Sequence, residues 1–344
     1  MIEPGTGNLL ASGAEALVNT VNTVGVMGKG IALQFKNAYP DNYKAYAAAC
    51  KRGEVVPGKM FVVATGVLGS SARFIINFPT KRHWKGKSRL EDIDSGLQDL
   101  VRVLREYKIQ SVAIPPLGCG NGGLDWAVVE PRIRAALEQV PGVKVLLHAP
   151  DGAPANDEML VATKAPRLTG PRAAMIAVMG QYLLPDYRLR AIEVQKLAYF
   201  LQVVGFPMKL HYVKHQFGPY ADNLNHALQA LEGHYLRGYG DRTSEMALHL
   251  LPEAARVAEE YLVSDPAAAE AVRHVAELVH GYETPYGLEL LATTHWAVQD
   301  LDTTDEEAVV RYVQAWTPRK GEIFTPQHIS KALQRLRSAG LVAA

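Results

Sequence analysis

A cluster of cations with one histidine is the feature of this sequence best suited to chemistry. Residues 81–87 read Lys-Arg-His-Trp-Lys-Gly-Lys, four cations and a histidine in seven positions, shortly after an apolar run at 73–77. Cations this close repel one another, which lowers the pKa of a lysine and favours its neutral amine as a nucleophile or base. A solvated basic loop that contacts phosphates is the alternative, and spacing alone does not separate the two.

Two glycine-rich loops have the composition of anion-binding sites. The first, residues 19–30, reads Asn-Thr-Val-Asn-Thr-Val-Gly-Val-Met-Gly-Lys-Gly, and the second, residues 115–126, reads Pro-Pro-Leu-Gly-Cys-Gly-Asn-Gly-Gly-Leu-Asp-Trp. Each stands between a short apolar run and a segment with helical spacing, so backbone N–H groups and a helix N-terminus can face a phosphate. The glycine spacing is not that of the dinucleotide fingerprint. Two such loops predict two walls around a phosphate-bearing ligand; two tight turns without a ligand are the alternative.

Several side chains near these loops also have a structural interpretation. Cys119 lies between glycines and is predicted to be a small filler rather than a nucleophile, because no histidine is close in sequence. Asp125 is predicted to cap the helix that follows it. His83 can orient the lysine loop or simply lie at the surface, and Trp84 can stack on a base or anchor the packing of the loop.

The first 150 residues alternate strand and helix, which predicts an α/β sandwich with both loops at the carboxyl ends of strands. Predicted strands are Glu15–Val18, Lys59–Ala64, Arg73–Asn77, Ser111–Ile114 and Val143–His148, and predicted helices are Gly30–Asn37, Tyr43–Arg52, Leu90–Tyr107 and Trp126–Val140. Residues 151–171, rich in proline and glycine, are predicted to be a linker. A mainly helical domain follows over 172–344, with helices predicted at Ala173–Leu183, Arg188–Val204, Asn223–Leu231, Pro252–Leu262, Pro266–Gly281, Leu288–Val298, Glu306–Ala315 and Pro326–Ser338.

Length and composition fit two globular domains in the cytoplasm, with no membrane span expected. Two cysteines make neither a disulfide framework nor a zinc site, and no metal site is predicted. The net charge of +1 is unevenly distributed along the chain. Residues 1–150 carry 18 Lys and Arg and 12 Asp and Glu, whereas residues 151–344 carry 18 Lys and Arg and 23 Asp and Glu. The basic first part suits an anionic substrate, whereas the acidic second part suits a basic partner or serves solubility alone.

These motifs resemble a known family. Residues 1–150 are similar to a macrodomain, the ADP-ribose-binding α/β/α fold, with Asn19-Thr-Val-Asn22 in place of its Asn-Ala-Ala-Asn. The runs at 18–30, 76–84 and 115–126 resemble the DarG antitoxins of DarT–DarG systems more closely. The second part resembles the helical Panacea module of SocA-type antitoxins, through Val194–Leu201 and His215–Leu224.

The resemblance implies an enzyme that removes ADP-ribose from thymidine bases of single-stranded DNA, reversing a DarT-like ADP-ribosyltransferase toxin. Lys81 is then the catalytic residue: its neutral amine attacks the anomeric carbon of the distal ribose, or the ring-opened aldehyde, and water hydrolyses the Schiff base. Asn22 is implied to hold the hydroxyls of that ribose. No cofactor is implied, since ADP-ribose is ligand and product, and the helical part is implied to bind the toxin. The alternative is a non-catalytic ADP-ribose-binding macrodomain that acts mainly by toxin sequestration.

The resemblance also implies the ligand contacts. In addition to the catalytic pair, ADP-ribose is expected to contact Asn8, Leu9, Asn19, Thr20, Val26, Met27, Gly28, Gly30, Ile31, Thr80, Pro116, Leu117, Gly118, Cys119, Gly120, Asn121, Gly122, Gly123 and Leu124. DNA is expected to contact Arg82, His83, Trp84 and Lys85. Asn8 departs from the family, because macrodomains commonly carry an aspartate there that accepts from the adenine amino group. The amide oxygen of Asn8 can accept that bond, but without charge.

Overall fold

A computed structural model describes residues 1–66, 71–150, 154–182, 187–242 and 245–343, with the side chain of residue 157 left out. The chain forms two units: Met1–Lys164 with Gly240–Ser244, and Ala165–Tyr239 with Glu245–Ala344. Residues 151–153 of the predicted linker, and Leu183 at the end of a predicted helix, lie outside the described residues.

The first unit is built on a six-stranded mixed sheet in the order β1-β6-β5-β2-β4-β3. Neighbouring strands are parallel except β3, which runs antiparallel to β4 at one edge. Each inner strand is mainly apolar on both faces, as a sheet covered on both sides requires. The strands are β1 (Ile2–Gly5), β2 (Ala16–Asn22), β3 (Phe61–Ala64), β4 (Phe74–Lys81), β5 (Ser111–Ile114) and β6 (Lys144–His148).

Helices cover both faces of this sheet. They are α1 (Gly30–Ala38), α2 (Pro40–Lys51), α3 (Leu90–Glu106) and α4 (Trp126–Leu137), with short 3₁₀ turns at Leu9–Ala11 and Asn156–Glu158. The apolar positions of α3 recur at helical spacing and pack with α4 against Phe78 and Ile76, whereas Phe35 of α1 packs on the opposite face against Leu17 and Ile75. The α/β sandwich prediction for this part is confirmed.

The structure also corrects the predicted strand limits. β2 and β4 continue to Asn22 and Lys81, four residues past their predicted ends at Val18 and Asn77, because the two strands stay paired with each other up to Asn22 and Lys81. β1 was not expected, since Pro4 and Gly5 resemble a turn. It is an edge strand, where a proline is tolerated because its missing N–H faces away from the ladder.

The second unit is mainly helical, as predicted. Its helices are α5 (Gly170–Tyr182), α6 (Ala191–Val203), α7 (Leu224–Leu231), α8 (Ala254–Val263), α9 (Pro266–Val279), α10 (Pro285–Leu301), α11 (Glu306–Ala315), α12 (Pro318–Ile323) and α13 (Pro326–Ser338). Helix α5 begins inside the range predicted as linker, and α12 and five short strands were not predicted. Those strands are β7 (Leu189–Arg190), β8 (Tyr212–His215), β9 (Gly218–Ala221), β10 (Leu236–Arg237) and β11 (Ala247–Leu250). No helix among the described residues is long and apolar enough to cross a membrane.

Candidate active site

The structure places the predicted catalytic pair, Lys81 and Asn22, side by side. Strands β2 and β4 run parallel in the sheet, and their register pairs Asn22 with Lys81 after an irregularity between Val21 and Asn22. Each of the two residues is the last of its strand. Because ligands of open α/β sheets bind outside the carboxyl ends of the strands, the pair stands where a substrate is expected.

The Asn22 side chain organises the first glycine-rich loop. Its Oδ1 accepts hydrogen bonds from the N–H groups of Val24 and Val26, at 3.0 and 3.3 Å, and its Nδ2 donates to the Val26 carbonyl oxygen. The buried Tyr46 hydroxyl donates to the Asn22 carbonyl oxygen at 2.6 Å. Asn22 therefore holds the loop next to Lys81, and its predicted contact with the distal ribose stays a prediction.

The Lys81 side chain reaches from β4 to the second glycine-rich loop. Its Nζ donates a hydrogen bond to the carbonyl oxygen of Asn121. Partial burial lowers the pKa of Lys81 from the ordinary lysine value, because the charged form loses water without gaining a carboxylate. Sequence reasoning predicted this direction from neighbouring cations, whereas desolvation is its cause in the structure. A lysine with a lowered pKa at the junction of two loops has the properties of a nucleophile.

The second glycine-rich loop is folded tightly on itself and onto Ser88. The Leu124 N–H donates to the Gly118 carbonyl oxygen at 3.1 Å, and the Ser88 N–H donates to the Gly122 carbonyl oxygen at 3.0 Å. Gly118 has a φ of 72°, a conformation that favours glycine. Burial raises the pKa of the Cys119 thiol to about 11, so at neutral pH the residue carries no thiolate, in keeping with a filler. Asp125 caps α4 by accepting from the Ala127 N–H at 3.0 Å, which confirms the predicted cap.

We expect Gly122→Ala to weaken ADP-ribose binding by at least about tenfold, about 1.4 kcal/mol. A β-carbon at this position overlaps the Gly118 carbonyl oxygen and the Ser88 hydroxyl, so the loop must open. Gly142→Ala, in the turn between α4 and β6, is the matched control, because it is not a predicted ligand contact and within the described residues nothing lies within 4 Å of a β-carbon there. Calorimetric titration with ADP-ribose measures both; equal affinities would show that the shape of this loop does not determine binding.

A chain of buried amides beneath the site was not predicted. Asn19 Nδ2 donates to Asn77 Oδ1 at 2.9 Å, and Asn77 Nδ2 donates to Asn42 Oδ1 at 2.7 Å, which links β2, β4 and α2. Asn19 Oδ1 is buried and has no hydrogen-bond partner among the described residues. The predicted contact of Asn19 with ADP-ribose stays a prediction. No local signal identifies Asn42 and Asn77, because their partners are distant in sequence.

Two predicted ligand contacts are already occupied by the protein. The Gly30 N–H at the start of α1 donates to the carbonyl oxygen of Asp241 at 2.8 Å, and the Asp241 carboxylate accepts from Gln34 Nε2 at 2.7 Å. This amide is therefore not directed at a diphosphate in the structure. The Asn8 Oδ1 accepts from the Leu10 N–H at 2.9 Å as a cap of the first 3₁₀ turn. That bond uses one of the two lone pairs of the amide oxygen, and the predicted adenine contact of Asn8 stays a prediction.

The remaining predicted ligand residues fall into two groups by exposure. Buried side chains and glycines support the loops from beneath: Leu9, Met27, Thr80, Leu117 and Gly118. Partly or fully exposed positions form the surface at the two loops and around them: Thr20, Val26, Gly28, Ile31, Pro116, Gly120, Gly123 and Leu124. Their contacts with ADP-ribose stay predictions.

The predicted DNA-contacting residues follow Lys81 on one exposed segment. The Arg82 guanidinium forms a two-pronged ion pair with Asp92 of α3, at 2.5 and 2.9 Å, so part of its charge is neutralised. The rings of His83 and Trp84 stack with centroids 5.5 Å apart, and the Lys85 ammonium lies 4.9 Å from the centre of the Trp84 ring. A DNA contact for each of the four stays a prediction.

The fold and the loops define the class of this protein. A six-stranded sheet between helices, with two glycine-rich loops at strand ends, is the arrangement of a macrodomain, and residues 18–133 match the family model described as "Macro domain".

Relatives of nearly the same length extend that result to the whole chain. A protein of Thermus aquaticus named DNA ADP-ribosyl glycohydrolase is 49% identical over 334 residues, 97% of this chain and 92% of the relative. A protein of the same name from Mycobacterium tuberculosis is 43% identical over 352 residues, 98% of this chain and 99% of the relative. The solved macrodomain of Mycobacterium tuberculosis DarG is 60% identical, covering 44% of this chain and 99% of its own, with a TM-score of 0.43. The chain belongs to the DarG family, the DNA ADP-ribosyl glycohydrolases.

Proposed function

We propose that this protein removes ADP-ribose from thymidine bases of single-stranded DNA. The observation that carries the proposal is the position of Lys81: it pairs in register with Asn22 at the strand ends, is linked to the second loop at Asn121, and has a lowered pKa. The relatives named DNA ADP-ribosyl glycohydrolase support the choice of substrate.

The proposed reaction uses the neutral Lys81 amine as a nucleophile. Nζ bonds to the anomeric carbon of the distal ribose, the bond from that carbon to the base breaks, and the departing base takes up a proton. One proton lost from nitrogen balances the proton taken up by the base, and the other moves to the ring oxygen as the ribose ring opens, which gives a Schiff base. Water hydrolyses it to free ADP-ribose and the original amine. Backbone N–H groups of the two glycine-rich loops hold the diphosphate during these steps.

Incubation of the full chain with a single-stranded oligonucleotide that carries one ADP-ribosylated thymine tests this function. We expect a product of the mass of the unmodified oligonucleotide, with one free ADP-ribose released for each modification removed. If the oligonucleotide stays fully modified while the protein still binds free ADP-ribose, the protein binds ADP-ribose without removing it from DNA.

We propose a second function for the helical unit, binding of a DarT-like toxin. The acidic balance of residues 151–344, 18 cations against 23 anions, suits a basic partner. A relative from Thermosipho africanus is 40% identical over 140 residues, which cover 36% of this chain and 36% of the relative. It is named a DNA ADP-ribosyl transferase–DNA ADP-ribosyl glycohydrolase fusion protein, so its name includes both activities. Co-purification of the toxin with full-length Lys81→Ala tests the proposal, because this variant removes the catalytic amine and leaves the helical unit unchanged.

A further inference from the structure

We infer that residues 82–89 form a platform for the nucleotide next to the modified thymidine, so that the preferred substrate is a DNA strand rather than a single modified nucleotide. Trp84 takes the neighbouring base, and the cations of the segment take the phosphates on either side. The inference rests on the proposed DNA glycohydrolase function and specifies its substrate.

The segment is fixed at both ends to the walls of the site. The Thr23 hydroxyl of the first loop donates to the Arg82 carbonyl oxygen at 2.7 Å, and the Ser88 N–H donates to the Gly122 carbonyl oxygen of the second loop. Between them, the Gly86 N–H donates to the His83 carbonyl oxygen at 2.9 Å and closes a turn. The platform is therefore held next to Lys81 before any strand binds, which reduces the entropy lost on binding.

The exposed indole is the part of the platform that suits a base. Trp84 is 50% exposed although its ring is large and apolar, and it follows Lys81 by three residues. The ring of His83 stacks on the indole, with the ring centroids 5.5 Å apart. Stacking of one base on an aromatic ring contributes about 1–3 kcal/mol and tolerates any sequence, because every base has a π face.

The charge of the segment suits the strand backbone. Five of the nine residues 81–89 are cationic and none is acidic. Arg82 is paired with Asp92, but within the part of the chain that the structure describes Lys85, Lys87 and Arg89 form no ion pair. Three cations without carboxylate partners beside an exposed ring favour a single strand, whose phosphates and bases alternate.

The test compares kcat/KM on two substrates, ADP-ribosylated thymidine monophosphate and a nine-nucleotide strand with the same modified thymine at its centre. We expect the unmodified protein to prefer the strand. Trp84→Ala is expected to lower the ratio of kcat/KM on the strand to kcat/KM on the mononucleotide by about 5- to 150-fold, the range that loss of one stacked base predicts. Trp84→Phe keeps a stacking ring and is expected to retain most of the ratio.

Using a ratio of kcat/KM values cancels any loss of folded protein that a variant causes. Equal kcat/KM on the two substrates, or a ratio that Trp84→Ala leaves unchanged, would overturn the platform while the glycohydrolase function stands. Removal from neither substrate would instead contradict the proposed function.

Discussion

Lys81→Ala is expected to abolish removal of ADP-ribose from DNA, with kcat lowered at least about a thousandfold, about 4 kcal/mol in activation free energy. The reason is that, within the residues that the structure describes, Lys81 is the amine that pairs in register with Asn22 at the strand ends. Affinity for free ADP-ribose is expected to stay within a few-fold, because in the proposed binding mode the backbone of the two loops, rather than this side chain, holds the diphosphate. Single-turnover release of ADP-ribose and calorimetric titration measure the two effects separately.

Lys81→Arg separates the nucleophile from its charge. Arginine keeps a cation and hydrogen-bond donors that reach toward Asn121, but it stays protonated at every relevant pH and cannot attack. We expect this variant to be as inactive as Lys81→Ala. In the unmodified protein, borohydride added during turnover should reduce the Schiff base and leave ADP-ribose attached to Lys81. An active Lys81→Arg enzyme, or no attachment, would mean that the lysine only positions the substrate.

The same chemistry fixes the direction of the pH dependence. In the proposed reaction the neutral amine is the reactive form, so kcat/KM should rise with pH as Lys81 loses its proton and then level off. Because burial lowers the pKa of Lys81, the rise should lie at lower pH than for an ordinary lysine. The pH profile of single-turnover rates checks this. Rates that fall as pH rises would indicate that the protonated lysine acts as a proton donor.

Sequence reasoning predicted the candidate site because its signals are local. Within each of the two loops, the glycines and asparagines lie within a dozen residues of one another. The apolar run before each loop predicted a central strand. The amide chain of Asn19, Asn77 and Asn42 joins residues 58 and 35 positions apart. Such pairing does not change the hydrophobic periodicity of the sequence, and the polar residues after Val18 made the end of β2 resemble a loop. Likewise, nothing in the basic segment indicates that Asp92 neutralises Arg82.

The second unit depends on a buried cluster of charges that the sequence did not reveal. Glu289 is 1% exposed and accepts hydrogen bonds from Arg319, at 2.9 and 3.1 Å, and from the fully buried Lys320. Lys196, also buried, donates to the Pro219 carbonyl oxygen at 2.6 Å. Burial, with repulsion from Lys320, lowers the pKa of Lys196 to about 7, and Glu289 opposes that shift. One carboxylate thus compensates the buried ammonium of Lys320 and the guanidinium of Arg319.

Glu289→Gln is therefore expected to destabilise the protein by about 3–5 kcal/mol, the usual cost of leaving a buried charge without its partner. Glu277→Gln is the matched control: Glu277 pairs with Arg273 on the exposed face of α9, and its loss should cost at most about 0.5 kcal/mol. Urea unfolding of the full chain, followed by ellipticity and tryptophan fluorescence, measures both. Similar losses for the two variants would show that burial of the cluster does not matter.

The loss of unfolding free energy in Glu289→Gln should also depend on pH, and the direction of that dependence distinguishes a charge effect from a packing effect. Without the carboxylate, the pKa values of the buried lysines fall further below the unfolded value, so the folded state binds fewer protons than the unfolded state. Stability of the variant then rises with pH more steeply than that of the parent, up to the pKa of an unfolded lysine near ~10.4. The difference in unfolding free energy should shrink between pH 6 and pH 9, whereas a loss of packing alone would give the same difference at both.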